Sequence, residues 1–144
     1  MRIEFTIPGE PSTFTSQRKG VTRRGIFYTK AEAKAEERRI RRLVRPHRPP
    51  QPLDALLEVE VTFVAPLTYA QAKRHIDQLS NLDFMLRKGT APDWDNWPKL
   101  LCDCLTKEGF WTDDSRISDG ICRKRYGTYP RIIVSIREVP EELS

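Results

Sequence analysis

The stretch Leu56-Leu57-Glu58-Val59-Glu60-Val61-Thr62-Phe63-Val64-Ala65 alternates apolar and polar residues through most of its length. Successive side chains of an extended chain point to opposite sides. Leu57, Val59, Val61 and Phe63 therefore share one face, and Glu58, Glu60 and Thr62 share the other. That is the pattern of a strand with one face on a core. Residues 2–7 repeat the pattern and end at Pro8-Gly9, a combination that reads as a strand and a turn. Ile132, Val134 and Ile136 alternate with Ile133, Ser135 and Arg137 in a strand over residues 131–138. Another strand is expected near residues 116–126, with a turn at 127–130 between the two. The segments between the strands carry helical spacing. A helix is expected over residues 29–44, with Thr29 as its N-cap. Its glutamates (Glu32, Glu36, Glu37) come early and its arginines late. This order complements the helix dipole and is a sufficient structural reason for many of those arginines. A second helix is expected over residues 97–108, where Leu100, Leu101, Cys104 and Leu105 form an apolar stripe. Gly109 suits the position just past its end. Residues 46–52 are a proline-rich connector, residues 69–86 hold one or two short helices, and 87–92 form a loop. Strands at both ends with helices between them predict an α/β chain of the α+β type. It would be one mixed sheet with helices packed against it, in a single domain over residues 1–144.

The chain has 144 residues and a formal net charge of +5. No apolar run approaches the roughly 20 residues of a membrane-spanning helix. The N-terminus lacks the apolar core and small-residue cleavage site of a signal peptide. These features predict a cytoplasmic protein with no membrane association. Three cysteines, Cys102, Cys104 and Cys122, give an odd count without CxxC spacing. They argue against both a disulfide framework and a zinc site and read as buried free thiols. His47 and His75 are isolated and receive no role. The basic residues are clustered. Arg18, Lys19, Arg23 and Arg24 sit in a segment rich in Ser, Thr and Gly. The helix 29–44 and the following connector hold a second group, and Arg123-Lys124-Arg125 form a third. The acids lie chiefly between Asp77 and Asp119 and at the C-terminus. Basic flanks around an acidic centre suit a phosphate-binding surface built around a cation site.

The stretch with the most chemistry is Asp93-Trp94-Asp95-Asn96-Trp97-Pro98-Lys99. In extended backbone Asp93 and Asp95 point the same way. Two carboxylates that converge repel one another, and a divalent cation resolves the conflict. Magnesium prefers such hard oxygen ligands and completes its shell with water and substrate phosphate. Pro98 belongs in a helix's first turn, which puts Lys99 there too. The helix dipole disfavours a cation at that end by roughly 0.3–1 kcal/mol, and nearby carboxylates or a bound phosphate would offset it. Two acids just before a helix and a lysine just inside it suit phosphoryl chemistry. Asp113-Asp114, leading into the next strand, could supply a further carboxylate. Each element has an ordinary explanation. Asp and Asn before a helix are common caps, and Asp-Asp is common in turns. The full pattern of DxDN followed by the lysine is rarer, arising by chance in roughly one chain of this length in a thousand at average residue usage.

Asp93-Trp94-Asp95-Asn96-x-x-Lys99, followed by Leu105-Thr106-Lys107-Glu108-Gly109-Phe110-Trp111-x-Asp113-Asp114-x-x-Ile117, strongly resembles the signature of RusA-type crossover junction endodeoxyribonucleases. The close match covers about residues 92–138, and the N-terminal part is similar more loosely. The resemblance implies a magnesium-dependent homodimer that binds four-way or branched DNA and nicks two opposed strands, with manganese as a substitute metal. It implies that Asp93, Asp95 and Asp114 are catalytic and hold the metal, and that Lys99 is the essential lysine. Asp113 and Asn96 match family positions. Arg18, Lys19, Arg23, Arg24, Arg87 and Lys88 are the expected contacts to the DNA backbone, and Phe14 is a candidate wedge at the branch. The sequence departs from the family at Thr13-Phe14-Thr15, where asparagines are usual, in its longer 66–91 segment, and in having only Arg87 and Lys88 as nearby basic residues before Asp93. Two symmetric cuts need two active sites, so a dimer follows from the reaction. A compact enzyme of this kind would be bacterial or phage-encoded. Two other readings compete with this one. One is a non-catalytic nucleic-acid-binding protein whose acids are caps and turns. The other is a magnesium nuclease for flaps, RNA or other structures.

Overall fold

Strand alternation and two amphipathic helices account for most of the architecture. The computed structural model describes residues 1–11, 20–21, 27–28 and 30–143. In chain order the elements are β1 (Arg2–Pro8), β2 (Gly20–Val21), β3 (Phe27–Tyr28), α1 (Lys30–Val44), β4 (Leu57–Pro66), α2 (Tyr69–Arg74), β5 (Met85–Arg87), α3 (Trp97–Lys107), β6 (Ile117–Gly127) and β7 (Arg131–Glu138). Single 3₁₀ turns occur at Arg45–His47, Ile76–Gln78 and Asp114–Arg116. Among the described residues β2 and β3 pair with each other. The other five strands form one mixed sheet in the order β1-β7-β4-β6-β5, an α+β arrangement as expected. β4 and β6 run parallel, and every other neighbouring pair is antiparallel.

β4 lies at the centre because its apolar face is matched on both sides. Val61 pairs with Val134 of β7 and with Cys122 of β6. Leu57, Val59, Val61 and Phe63 meet Phe5 and Ile7 of β1 and Ile132, Val134 and Ile136 of β7 in one buried layer. Ile40 and Val44 of α1 and Leu100, Leu101, Cys104 and Leu105 of α3 close over that layer. All four residues of the expected α3 stripe are buried. Burying such side chains stabilises the fold by roughly 1.5–3 kcal/mol each. The opposite face of the sheet carries the alternate residues: Glu58 and Glu60 of β4, Arg123 and Arg125 of β6, and Ser135 and Arg137 of β7, as their registers require.

Trp97, Phe110 and Trp111 are also buried, although none belongs to the α3 stripe. Trp97 stacks on Phe63 with ring centroids 4.9 Å apart. Gly109, at φ +81°, turns the chain after α3, a conformation glycine adopts without a Cβ penalty. Phe110 and Trp111 are thereby returned to the core. Leu53, just past the connector, is pinned there, its N–H donating to the Phe110 carbonyl at 2.9 Å while its carbonyl accepts from Thr112 N–H at 3.0 Å. The buried Glu108 carboxylate, at the C-terminal end of α3, accepts from Nε of Arg41 and of Arg45, each at 2.6 Å. These arginines of α1 and its following turn therefore hold α3 in place. His47 stacks on Phe5 at 4.7 Å, and His75 packs against Phe84 at 5.0 Å. Some expectations need correction. Of the three cysteines expected to be buried, Cys104 is buried while Cys102 and Cys122 are half-buried. Residues 87–92 are not wholly loop, because Arg87 ends β5 and pairs with Arg125. A three-residue strand is too short to show a period. No helix among the described residues is long and apolar enough to cross a membrane.

Candidate active site

Asp93 to Asn96 form a turn immediately before α3, closed by the Asn96 N–H donating to the Asp93 carbonyl at 3.1 Å. All four residues are exposed. Asn96 occupies the N-cap position with helical backbone angles (φ −80°, ψ −37°), and its side chain makes no capping hydrogen bond. The ordinary explanation of this cluster, that its polar residues cap the helix, therefore fails for the residue best placed to cap. Pro98 lies in the first turn as expected, and Lys99 is exposed one residue later. Neither Asp93, Asp95 nor Lys99 has a described side-chain hydrogen bond or ion pair.

The loop entering this turn is tied to β6. Lys124 Nζ donates to the carbonyls of Thr90 and Pro92, both at 2.6 Å. The hydroxyls of Thr90 and Tyr126 share a hydrogen bond of 2.7 Å. Lys88 Nζ donates to Thr90 Oγ1 at 2.6 Å and to the Tyr126 hydroxyl at 3.3 Å, and lies 4.4 Å from the centre of the Tyr126 ring. The hydrogen bond with Thr90, and then that with Lys88, hold the Tyr126 phenol below its usual pKa. Lys88 is thus engaged within the protein. Arg87 and Lys88, adjacent in sequence, follow opposite faces of the sheet edge because strand side chains alternate. Sequence reasoning missed Thr90, Lys124 and Tyr126 as supports. The available signal was the spacing of Lys124 and Tyr126, two residues apart on one strand.

Asp114 opens the 3₁₀ turn before β6. Asp113 caps that turn, its carboxylate accepting from the Ser115 N–H at 3.1 Å. Hydrogen bonding from Ser115 holds the Asp113 carboxyl below the usual aspartate range. Asp113 therefore has a local structural task. Asp114 is oriented from α3 and the chain beyond it. Its Oδ1 accepts from Trp111 Nε1 at 2.9 Å and from Thr106 Oγ1 at 2.5 Å. Trp111 Nε1 also lies 2.7 Å from Thr106 Oγ1. A hydroxyl has a single proton to give. The single indole N–H is shared between Asp114 and Thr106, and the Thr106 proton is directed either to Asp114 or to the Cys102 carbonyl, 2.9 Å away.

An apolar pocket beside the start of α3 is lined by Val59, Val61, Trp94, Pro98, Cys102 and Cys122 among others. Trp94, flanked by Asp93 and Asp95, is 64% exposed. On the other side is Cys102, whose thiol is pushed up to about 12, first by burial and then by the charge of Asp114. The pocket lining thus includes Trp94, the chain neighbour of Asp93 and Asp95, and Cys102, whose carbonyl shares the Thr106 hydroxyl with Asp114. Among the described residues no three His, Cys, Asp or Glu side chains are gathered to hold a metal ion. The donor chemistry nevertheless fits a hard divalent cation, since Asp93 and Asp95 are exposed carboxylates without a described cation partner. Arg18, Lys19, Arg23, Arg24 and Phe14 lie outside the described residues.

Comparison with known proteins agrees with this motif. The chain is 28% identical over 139 residues to the uncharacterized protein YqaN of Bacillus subtilis (strain 168), covering 95% of this chain and 96% of that protein. A family model described as endodeoxyribonuclease RusA matches residues 8–137. The match spans the acid turn, α3, Asp114 and both C-terminal strands, so the chain belongs to the RusA endodeoxyribonuclease family, structure-specific nucleases that act on branched DNA.

Proposed function

We propose that the protein is a magnesium-dependent crossover junction endonuclease that resolves Holliday junctions and related branched DNA by paired nicks, serving recombination and repair. The observation that carries this reading is the uncapped, exposed Asp93–Asp95 turn at the start of α3, in a chain of the RusA family whose Asp114 is held by Trp111 and Thr106. In this reading residues 1–144 act as one nuclease domain, two copies form a homodimer, and the protein works in the cytoplasm of a bacterium or on behalf of a phage.

Asp93, Asp95 and Asp114 would hold the ion, with manganese able to replace magnesium. The ion supplies Lewis-acid stabilisation of charge on the phosphate and acidifies water. The protein's own residues do the remainder. Lys99, in the first turn of α3, faces the developing negative charge together with the positive end of the helix. Thr106 and Trp111 fix the direction of Asp114. Lys124 and Tyr126 hold the loop that delivers Asp93, and Arg87 contacts a backbone phosphate. Arg18, Lys19, Arg23, Arg24 and Lys88 are proposed to add positive charge for the DNA backbone. In Lys88 this charge acts at longer range, because its ammonium is already bonded to Thr90 and Tyr126.

The test uses end-labelled synthetic four-way junctions and matched linear duplexes with magnesium, manganese or EDTA, alongside an Asp114→Asn variant. Paired symmetric nicks in the junction, absent with EDTA and in the variant, are expected. Binding without cleavage under every metal condition would refute the nuclease reading and favour a DNA-binding module. Cleavage of flaps or RNA in preference to junctions would retain the active site and refute the substrate.

A further inference from the structure

The face of the sheet not covered by α1 and α3 has an uneven charge. Arg87 of β5 is in register with Arg125 of β6, so the two side chains lie side by side on that face. Arg123, two residues earlier on β6, shares it. Like charges directly opposite across a strand pair are destabilising. Burial, and then the charges of Arg87 and Arg123, lower the pKa of the Arg125 guanidinium. Its described hydrogen bond goes to the Lys124 carbonyl at 2.9 Å, not to an acid.

The acids of this face are elsewhere or already matched. Glu60 lies 3.5 Å from Arg123, Glu58 is paired with Arg137, and Glu4 lies 3.4 Å from Arg2. Asp119 is six residues from Arg125 along β6, roughly 20 Å at strand rise. Arg131 of β7 also lacks an acid but is buried and donates to the carbonyls of Leu82 and Tyr129, so the accessible surplus among the described residues is Arg87 and Arg125, at the outer β5–β6 edge. The same edge anchors the Asp93 loop on its other face, through Lys124, Tyr126 and Lys88. A nucleic-acid strand passing around the edge would meet the acid turn on one side and these arginines on the other.

We propose that Arg87 and Arg125, with Arg123 beside them, form a phosphate-binding surface for the nucleic-acid backbone at the β5–β6 edge of the face opposite α1 and α3, distinct from the loop carrying Asp93 and Asp95. The site deepens the nuclease reading, on which it rests, and it adds Arg125 to the residues that grip the substrate. A phosphodiester backbone suits the pair better than a second copy of this chain, because Glu58 and Glu60 at the far end of the face already have arginine partners. Filling the site would remove the repulsion that the unliganded pair sustains.

The test measures binding of a fluorescent four-way junction and a linear duplex by anisotropy in EDTA across a salt series. It compares the wild type, Arg87→Gln/Arg125→Gln, and a control with equal charge removal on the exposed side of α1, Arg38→Gln/Arg42→Gln. Removing one arginine that neutralises a phosphate should flatten the slope of log K against log salt by about 0.9. The double variant is therefore expected to bring the slope down by close to two and to bind at least tenfold more weakly at low salt. Its melting temperature should be unchanged or raised at low salt, since a like-charge repulsion is relieved. Arg87→Gln alone, at the exposed end of β5, should flatten the slope by about one. An unchanged slope, an equal effect in the α1 control, or a fall in oligomer mass in the double variant would each overturn the proposal, the last by assigning the surface to a second copy. The outcomes separate from the nuclease reading. Junction cleavage by the wild type with an unaltered salt slope in the variant defeats this surface alone. A flattened slope with no cleavage by the wild type defeats the nuclease reading and leaves the surface standing.

Discussion

Replacing Lys124 by Met removes the tie between β6 and the loop that carries Asp93, while keeping an unbranched side chain of similar length. Lys124 Nζ makes two charge-assisted hydrogen bonds, to the carbonyls of Thr90 and Pro92, both at 2.6 Å. Hydrogen bonds to charged groups contribute about 1.5–3 kcal/mol each where water is excluded. Thr90 is exposed and Lys124 half-buried, so water replaces part of this stabilisation, which leaves roughly 2 kcal/mol for the two bonds together. At 1.4 kcal/mol per factor of ten, this shifts the balance between held and released loop by about 30-fold. A carboxylate displaced by an ångström can cost on the order of a hundredfold in rate. Single-turnover cleavage of a four-way junction is therefore expected to slow by about 10- to 30-fold. If the whole effect entered the cooperative transition, the melting temperature would fall by about 4–8 °C. Lys124→Arg keeps a donor and should recover part of the rate. A folded Lys124→Met enzyme that cleaves at the wild-type rate would refute the view that this anchor positions Asp93.

Glu108→Gln should destabilise the protein by about 1–2 kcal/mol at neutral pH, because the carboxylate loses charge-assisted bonds from two half-exposed arginines. The hydrogen bond from Arg45, and then that from Arg41, hold the Glu108 carboxyl below its ordinary value of 4.5. Its stabilising contribution is therefore complete above about that pH and lost as the pH falls through the lower folded-state value. Melting curves of wild type and variant should converge below pH 4.5, and a constant gap would contradict the assignment. At Gly127 an added Cβ would come within 2.6 Å of Val64 Cγ1 and 3.1 Å of the Phe84 carbonyl. Gly127→Ala is expected to cost about 1–3 kcal/mol as overpacking, and chemical denaturation with an unshifted midpoint would contradict that. Burial pushes the thiols of Cys102 and Cys104 up to about 12 and that of Cys122 to about 11. Native protein at pH 8 should resist iodoacetamide at all three, and unfolded protein should react fully. Rapid native alkylation would show that their surroundings do not disfavour the thiolate.

Period and spacing carried much of this protein. Leu57, Val59, Val61 and Phe63 alternate, and they are the central strand's buried face. Leu100, Leu101, Cys104 and Leu105 recur at helical spacing, and they bury against it. These features are local, so sequence determines them: the side-chain period of a strand or helix is set by its own backbone. The acid cluster was legible because its residues are neighbours in the chain, although the extended backbone expected for Asp93 and Asp95 is a turn. The order of the strands was decided only by the tertiary structure. The parallel pairing of β4 with β6 joins segments some sixty residues apart, which no local period encodes. The core positions of Trp97, Phe110 and Trp111 depend on a stacking partner and a glycine turn outside any stripe. The hold of Trp111 and Thr106 on Asp114, the Lys124 anchor beneath Asp93, and the surplus of Arg87 and Arg125 likewise arise between elements. Composition reveals how many charges a chain has. Only the packed sheet decides which of them, such as Arg41 and Arg45 on Glu108, are consumed within the fold and which remain for a partner.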